Sequence, residues 1–285
     1  MPTTPTTYAE VLAANVDLHS RMAADYSRAE PHFRPENLQK VRARLAALAP
    51  TGGGGRLLDL GCGTGFMINL ARNLFGEIVG VDATQAMLDQ VDRSGPAQIT
   101  LHCDDTGAFA PAPGSFDVVS AYSFLHHLYD IRPTLRTAAA ALRPGGVFYG
   151  DLDPNRDFWA ALQAVDPKAE LSPLVRAELG KLRGHDQEVA VQLGIAPALL
   201  DLAEYGKNIT GGFSGDELAA ALREAGFSQV EVFYHWFLGE AQVLHSPDYP
   251  LAEGQARAAQ VHEALRRAMP LSRGLYKYLG FVARR

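Results

Sequence analysis

The residues with the clearest chemical purpose lie in Leu57-Leu58-Asp59-Leu60-Gly61-Cys62-Gly63-Thr64-Gly65, an apolar run ending in three alternating glycines just before Phe66-Met67-Ile68. Glycines at that spacing let a strand turn tightly into a helix and let a ligand approach bare backbone. A dinucleotide site would want a further glycine where Phe66 stands, with a pyrophosphate over the helix N-terminus. Asp59, just before the turn, would repel that pyrophosphate and suits a nucleoside that is positively charged and free of phosphate.

Further acids stand at the ends of the next apolar runs. Val79-Gly80-Val81-Asp82 puts a carboxylate at the carboxyl edge of a second strand, where it can accept both hydroxyls of a ribose. Ile99-Thr100-Leu101-His102-Cys103 is followed by Asp104-Asp105, either of which can accept an adenine amino group. Taken singly, each is an ordinary solvated strand-end aspartate; together they ring a cationic, amine-bearing nucleoside.

The elements that must hold these acids show in the hydropathy pattern. After Gly52 to Gly55, short apolar runs alternate with helical periods, the mark of βαβ units and a mostly parallel sheet. Strands are expected near Arg56–Leu60, Ile78–Asp82, Ile99–Cys103, Phe116–Ala121, Val147–Gly150, Val230–Trp236 and Tyr278–Ala283, and helices at Phe66–Leu74 and Met87–Val91. Leu142-Arg143-Pro144-Gly145-Gly146 reads as a sharp turn before the fifth strand, and Ser214-Gly215-Asp216-Glu217 as a capping box opening a helix that ends at Gly226.

Two leading helices, over residues 8–24 and 37–48, place Val11, Ala14, Leu18 and Met22, then Leu38, Val41, Leu45 and Leu48, on single faces. Between the fifth strand and the Ser214 helix lie about 65 residues, far more than the few that usually join strand to helix. Helical stretches there, near Phe158–Val165, Leu171–Leu182 and Glu188–Tyr205, suggest a lid over the edge of the sheet where ligands bind. The expected layout is a helical lid over 1–50, a Rossmann-like core over 51–152, a helical cap over 153–212 and the rest of the core over 213–285.

In Asp59–Gly65 and the acids that follow, the chain resembles the class I S-adenosylmethionine (SAM) dependent methyltransferases, particularly the branch acting on quinones, sugars and other small metabolites. The resemblance is good over residues 50–152 and looser over 212–285. It implies an α/β fold whose seven-stranded, mostly parallel sheet has an antiparallel last strand, and it implies SAM as cofactor. It also implies that Asp59, Gly61, Cys62, Gly63 and Gly65 surround the methionine part, that Asp82 binds ribose and Asp105 adenine, and Ala83, Met87, Thr106 and Ala121 are expected among the cofactor-binding residues. The usual glycine before the third acid is replaced by Asp104, which leaves the choice between Asp104 and Asp105 open. Phe116-Asp117-Val118-Val119, Leu125-His126-His127-Leu128 and Leu142 to Gly146 resemble the branch's later motifs. Ser120-Ala121-Tyr122-Ser123 stands where enzymes that methylate bases or glutamine carry an Asn-Pro-Pro-Tyr type motif.

Methyl transfer to a hydroxyl calls for a base, and a histidine near its ordinary pKa is suited to the task. His126 and His127 follow the fourth strand, and on a helix they would point about 100° apart, so that one faces the pocket. Resemblance to sugar O-methyltransferases implies His126 working with Asp151, with Asp153 as competitor; the alternative is that both histidines are structural. Tyr149 and His235 are further candidates, Tyr8 and Tyr26 could close over bound SAM, and Phe158 and Trp159 could line an aromatic pocket.

The expected acceptor is a small molecule methylated on oxygen. A net charge of −6 argues against gripping nucleic acid. The sequence shows no membrane span or secretory signal, so a cytoplasmic protein is expected and the Asn208-Ile209-Thr210 acceptor pattern carries no weight. Cys62 and Cys103 lack metal-site spacing and no metal is expected; a homodimer is left open. Shortening residues 155–210 is expected to abolish turnover and spare SAM binding. The rival readings are a nicotinamide-dependent oxidoreductase, a SAM-binding protein with another chemistry, and methylation of RNA or protein.

Overall fold

Leu57, Leu58 and Leu60 are all fully buried, as befits a strand at the centre of a parallel sheet with helices on both faces. The computed structural model describes residues 6–285 except 53 and 167, so most of the Thr/Pro-rich start lies outside the described residues. Its seven-stranded sheet is built from β1 (Arg56–Leu60), β2 (Glu77–Asp82), β3 (Gln98–Cys103), β4 (Phe116–Tyr122), β5 (Leu142–Pro154), β6 (Gln229–Phe237) and β7 (Tyr276–Arg284). The order is β3-β2-β1-β4-β5-β7-β6, and β7 runs antiparallel to both its neighbours while the first five strands are parallel. This is the Rossmann-like sheet with a reversed last strand that the sequence implied.

β5 is longer than expected at both ends. Leu142 already pairs with Phe116 ahead of the Pro-Gly-Gly kink, and the strand continues past Gly150 through an irregularity in its pairing with β7. Leu152 at that irregularity has φ +62, a left-handed conformation that costs a leucine about 1–2 kcal/mol. Such a bulge breaks the alternation of side chains along the strand.

Among the described residues three α-helices precede the sheet: α1 (Tyr8–Met22), α2 (Tyr26–Ala29) and α3 (Pro35–Leu48). α1 opens with a capping box in which Glu10 N–H donates to the Thr7 hydroxyl at 3.3 Å and Thr7 N–H to the Glu10 carboxylate at 2.8 Å. α3 is a core helix: Val41 and Leu45 pack with Leu57 and Ile78 of the sheet and with Met67 and Ile68 of α4 (Phe66–Ala71). The expected N-terminal cover is therefore confined to α1, α2 and the short turn at Pro31–Phe33. After α5 (Gln85–Leu88), the opposite face is covered by α6 (Arg132–Ala141).

The insertion contains α7 (Arg156–Gln163), α8 (Pro173–Leu193), α9 (Pro197–Ala203) and a π turn at Tyr205–Ile209. The two expected helices over 171–205 divide elsewhere, because Gly194 caps α8 in the left-handed conformation and Pro197 starts α9. Leu200 and Ala203 of α9 pack with Ala190 and Ile195 against Ala14 and Leu18 of α1, so insertion and N-terminal helix share one small core.

α10 (Gly215–Glu224) follows without the expected capping box; Ser214 makes no side-chain cap, and Glu217 pairs with Arg156 at 2.7 Å instead. α11 (Glu240–Leu244) and α12 (Leu251–Arg267), between β6 and β7, were not anticipated. Among the described residues no helix is long and apolar enough to cross a membrane.

Candidate active site

The glycine turn after β1 is fastened to the end of β2. Gly61 and Cys62 N–H donate to the Val81 carbonyl at 2.8 and 3.1 Å. The Asp82 carboxylate then accepts from Gly63 N–H at 2.9 Å on one oxygen and from Thr84 N–H at 2.8 Å on the other. Gly61 needs its φ of +70 and its missing side chain, because a Cβ there would lie 2.0 Å from the Phe124 ring.

A cavity opens at this edge of the sheet. Gly61, Cys62, Gly63, Asp82, Ala83, Met87, Asp105 and Thr106 line it, together with Tyr8, Val11 and Asn15 of α1 and Tyr26 of α2. Four of the residues expected there are not on its wall. Asp59 is buried behind the turn, Gly65 shapes the turn against Val91, Ala121 is buried within β4, and Asp104 stays at the exposed end of β3. Asp105, unlike Asp104, is on the wall, where it accepts from Gly107 N–H at 2.9 Å and from the hydroxyl of Tyr8, itself a lining residue. The Tyr8 phenol is pushed up to about 12 by burial and by its bond to Asp105.

Asp59 is the least comfortable group nearby. Burial raises its carboxyl to about 7, partly offset by the Ser120 hydroxyl donating at 2.7 Å to one oxygen, with Asp82 adding to the rise. The other oxygen has no partner among the described residues, and an unpaired buried acceptor costs free energy until a donor reaches it.

The two histidines sit on a short turn, Leu125–His127, and have different surroundings. His126 Nδ1 lies 2.9 Å from Asp153, which also accepts the His126 backbone N–H at 3.0 Å, and Nε2 lies 3.7 Å from Glu204. His127, and not His126, lines the cavity, with Nδ1 2.9 Å from the Ala203 carbonyl.

The expected pairing of His126 with Asp151 is thus corrected to Asp153. In a regular strand residues 151 and 153 would face the same way; the bulge at Leu152 separates them. Asp151 instead accepts from the Tyr149 hydroxyl at 2.5 Å and meets His235 Nε2 at 2.5 Å, and Lys40 lies 3.1 Å from the other nitrogen of that ring. Tyr149 and His235 belong to this buried group behind the cavity, and neither lines it. Phe158 and Trp159 are likewise absent from its wall.

Sequence reasoning missed Glu204, Lys207, Glu30, His19 and His32. Glu204 of the insertion lies 3.7 Å from Nδ1 of His127 as well as from His126, and Lys207 is 3.7 Å from its carboxylate. Burial alone would favour the neutral acid, but Lys207, His127, His126 and His19 hold the Glu204 carboxyl well below its ordinary range. Glu30 is raised to about 7 by burial and by Glu204, and His32 is lowered to about 4 by burial. His127 is pushed well below an ordinary histidine, by burial first and then by His126.

His126, His127 and Glu204 bring three donor atoms within 4.8 Å of one another, the types found around bound metals. Lys207 already supplies positive charge to Glu204, and one nitrogen of each histidine is engaged by Asp153 or Ala203.

The chain belongs to the methyltransferase-domain family, whose profile matches residues 31–232. It is 29% identical over 157 residues to a ubiquinone biosynthesis O-methyltransferase of Ralstonia nicotianae, covering 53% of this chain and 66% of that one. It is 36% identical over 120 residues to the 27-O-demethylrifamycin SV methyltransferase of Amycolatopsis mediterranei, covering 39% and 43%. The chain thus matches less than two thirds of the length of these curated relatives. An S-adenosylmethionine dependent methyltransferase structure from Mesorhizobium loti shares the fold with TM-score 0.52 at 22% identity, over 87% of this chain and all of that one. A phosphoethanolamine N-methyltransferase 2 structure from Haemonchus contortus, in complex with S-adenosyl-L-methionine, aligns with TM-score 0.56 at 16% identity, over all of this chain and 61% of that one.

Proposed function

We propose that this protein transfers the methyl group of SAM to a hydroxyl of a small-molecule acceptor. The observation that carries the reading is the charge of the cavity wall: Asp82 and Asp105 line it, and no lysine or arginine does among the described residues. Such a wall favours a cationic nucleoside and disfavours a diphosphate.

The residues present fit that cofactor. The Asp82 oxygens each keep acceptor capacity beyond their backbone bonds, enough for ribose hydroxyls, and Asp105 stands where an adenine amino group can donate. The unpartnered oxygen of Asp59 behind the turn suits a nearby ammonium, directly or through water. SAM supplies an electrophilic methyl group.

The protein's part is then to hold an acceptor oxygen in line and to accept its proton. His127 is the group for this, since it lines the cavity and its Nε2 is not the nitrogen engaged by Ala203. His126, held by Asp153, supports the turn that carries it. Two of the protein's relatives, a ubiquinone biosynthesis O-methyltransferase and a 27-O-demethylrifamycin SV methyltransferase, support oxygen as the methylated atom.

The test is incubation with SAM and a panel of catechols, hydroxyquinones and glycosides, followed by mass spectrometry. Formation of S-adenosylhomocysteine together with a methylated acceptor is expected. SAM bound but never consumed would favour a SAM-binding protein of another chemistry, and heat release on titration with NAD but not SAM would end the reading.

A further inference from the structure

The tautomer of His127 is fixed by its neighbours. A backbone carbonyl can only accept, so the Nδ1 that lies 2.9 Å from Ala203 O carries the hydrogen and Nε2 keeps its lone pair. That carbonyl is itself held, because the Asn15 side-chain amide of α1 donates to it at 3.0 Å. The ring also meets His19 edge-on, with centroids 4.8 Å apart, which limits its rotation. Glu204, the next residue after Ala203, sets a carboxylate oxygen 3.7 Å from Nδ1. That is too far for a direct hydrogen bond and near enough for its charge to act with little screening.

From this geometry we propose that the insertion is part of the proton-accepting machinery: Ala203 orients His127, and Glu204 is a positioning residue that stabilises the positive charge His127 gains during reaction. The inference rests on the hydroxyl-methylation reading above. In the step concerned the acceptor's O–H bond breaks and its proton passes to His127 Nε2. A bond forms between that oxygen and the methyl carbon, and the electron pair of the broken carbon–sulfur bond stays on the cofactor's sulfur.

Every element packed around His127 contributes charge or a titrating group. His126 lies on the same turn with Asp153 of β5 beyond it, His19 is on α1, and Tyr26, Glu30 and His32 are on or beside α2. Lys207 is on the π turn, 3.7 Å from Glu204. Burial first, then His126 and His19, push a proton off His127, and Glu204 and the Ala203 carbonyl oppose them. A base buried among other histidines with no anion beside it would be too weak to serve. Lys207 draws part of the Glu204 charge to itself, so removing either residue of that pair has opposite effects on His127.

The test needs no acceptor. Nitrogen-15 NMR of histidine-labelled full-length protein, with His127→Gln for assignment, reads both tautomer and protonation. The expected spectrum has hydrogen on Nδ1 and a bare Nε2, with protonation beginning only below the range of ordinary histidines. Glu204→Gln should lower the midpoint by about one pH unit or more, a tenfold or greater loss of proton affinity. Lys207→Met should raise it. Hydrogen on Nε2, a Glu204→Gln midpoint within about 0.3 units of wild type, or shifts in the same direction for both variants would overturn the proposal. If the wild-type ring stays neutral down to acid unfolding, or Glu204→Gln does not fold, Lys207→Met decides: protonation at higher pH than wild type supports the role and no change overturns it. Failure here leaves methyl transfer standing, because that reading falls separately, on the absence of S-adenosylhomocysteine.

Discussion

Replacing Asp82 by asparagine changes one atom and keeps the shape, yet every hydrogen bond around that side chain needs an acceptor. One oxygen receives Gly63 N–H at 2.9 Å and the other Thr84 N–H at 2.8 Å. Asparagine accepts on one side only, so its amide must point an N–H at one of two backbone N–H groups. Losing one bond to a charged acceptor costs roughly 1.5–3 kcal/mol, and losing a ribose hydroxyl bond costs a similar amount. The first loss loosens the glycine turn whether or not cofactor is bound; the second is felt only on binding. SAM affinity of Asp82→Asn should therefore fall by roughly 10- to 100-fold by calorimetric titration, with a lower melting temperature in the absence of SAM. An affinity within about threefold of wild type would refute the assignment of Asp82 to both tasks.

The two cavity-side glycines should respond differently. Gly61→Ala would drive a methyl into the Phe124 ring at 2.0 Å and should prevent a stable fold, whereas at Gly63 the nearest atom is Met87 Cε at 3.7 Å. Gly63→Ala should fold with a loss of about 1–2 kcal/mol for its left-handed backbone and bind SAM more weakly, since the new methyl faces the cavity; thermal melts and titrations separate the two. Asp59 gives a pH prediction. Its folded pKa of about 7 lies above the ordinary 3.8, so its contribution to stability is complete below about pH 4 and is lost as pH rises through 7. The melting temperature without SAM should fall over that window, and Asp59→Asn should flatten the fall by the equivalent of about 4 kcal/mol; an unchanged slope counts against the burial argument. His127→Gln should keep SAM affinity and lower the rate of S-adenosylhomocysteine formation by about 10²–10⁴-fold on any hydroxyl acceptor found.

What the sequence disclosed is what is local along the chain. The apolar β1 run, the glycines that must turn it and Asp82 at the end of the next strand are close together in sequence, and the sheet packs them as their types require. Asp105 could not be told from Asp104 because the deciding partners, Gly107 N–H and the Tyr8 hydroxyl, come from a tight turn and from the distant α1. Asp153 could not be told from Asp151 because strand periodicity treats them alike, and nothing in the residue types around Leu152 marks the left-handed backbone that separates them. Glu204 was hidden for another reason: it reaches the histidines only after α9 docks on α1 through Leu200, Ala203, Ala14 and Leu18, a contact between two segments far apart in the chain. That same contact revises the expectation for shortening residues 155–210. Removing α9 would uncover α1, which lines the cavity proposed to take SAM, so SAM affinity should fall along with turnover.

The charge of the cavity wall is tested most directly by a crystal structure with S-adenosylhomocysteine bound. The expected result places the Asp82 carboxylate within hydrogen-bond distance of both ribose hydroxyls, with the glycine turn against the amino-acid portion. A ribose lying away from Asp82, or a diphosphate in the cavity, would contradict it.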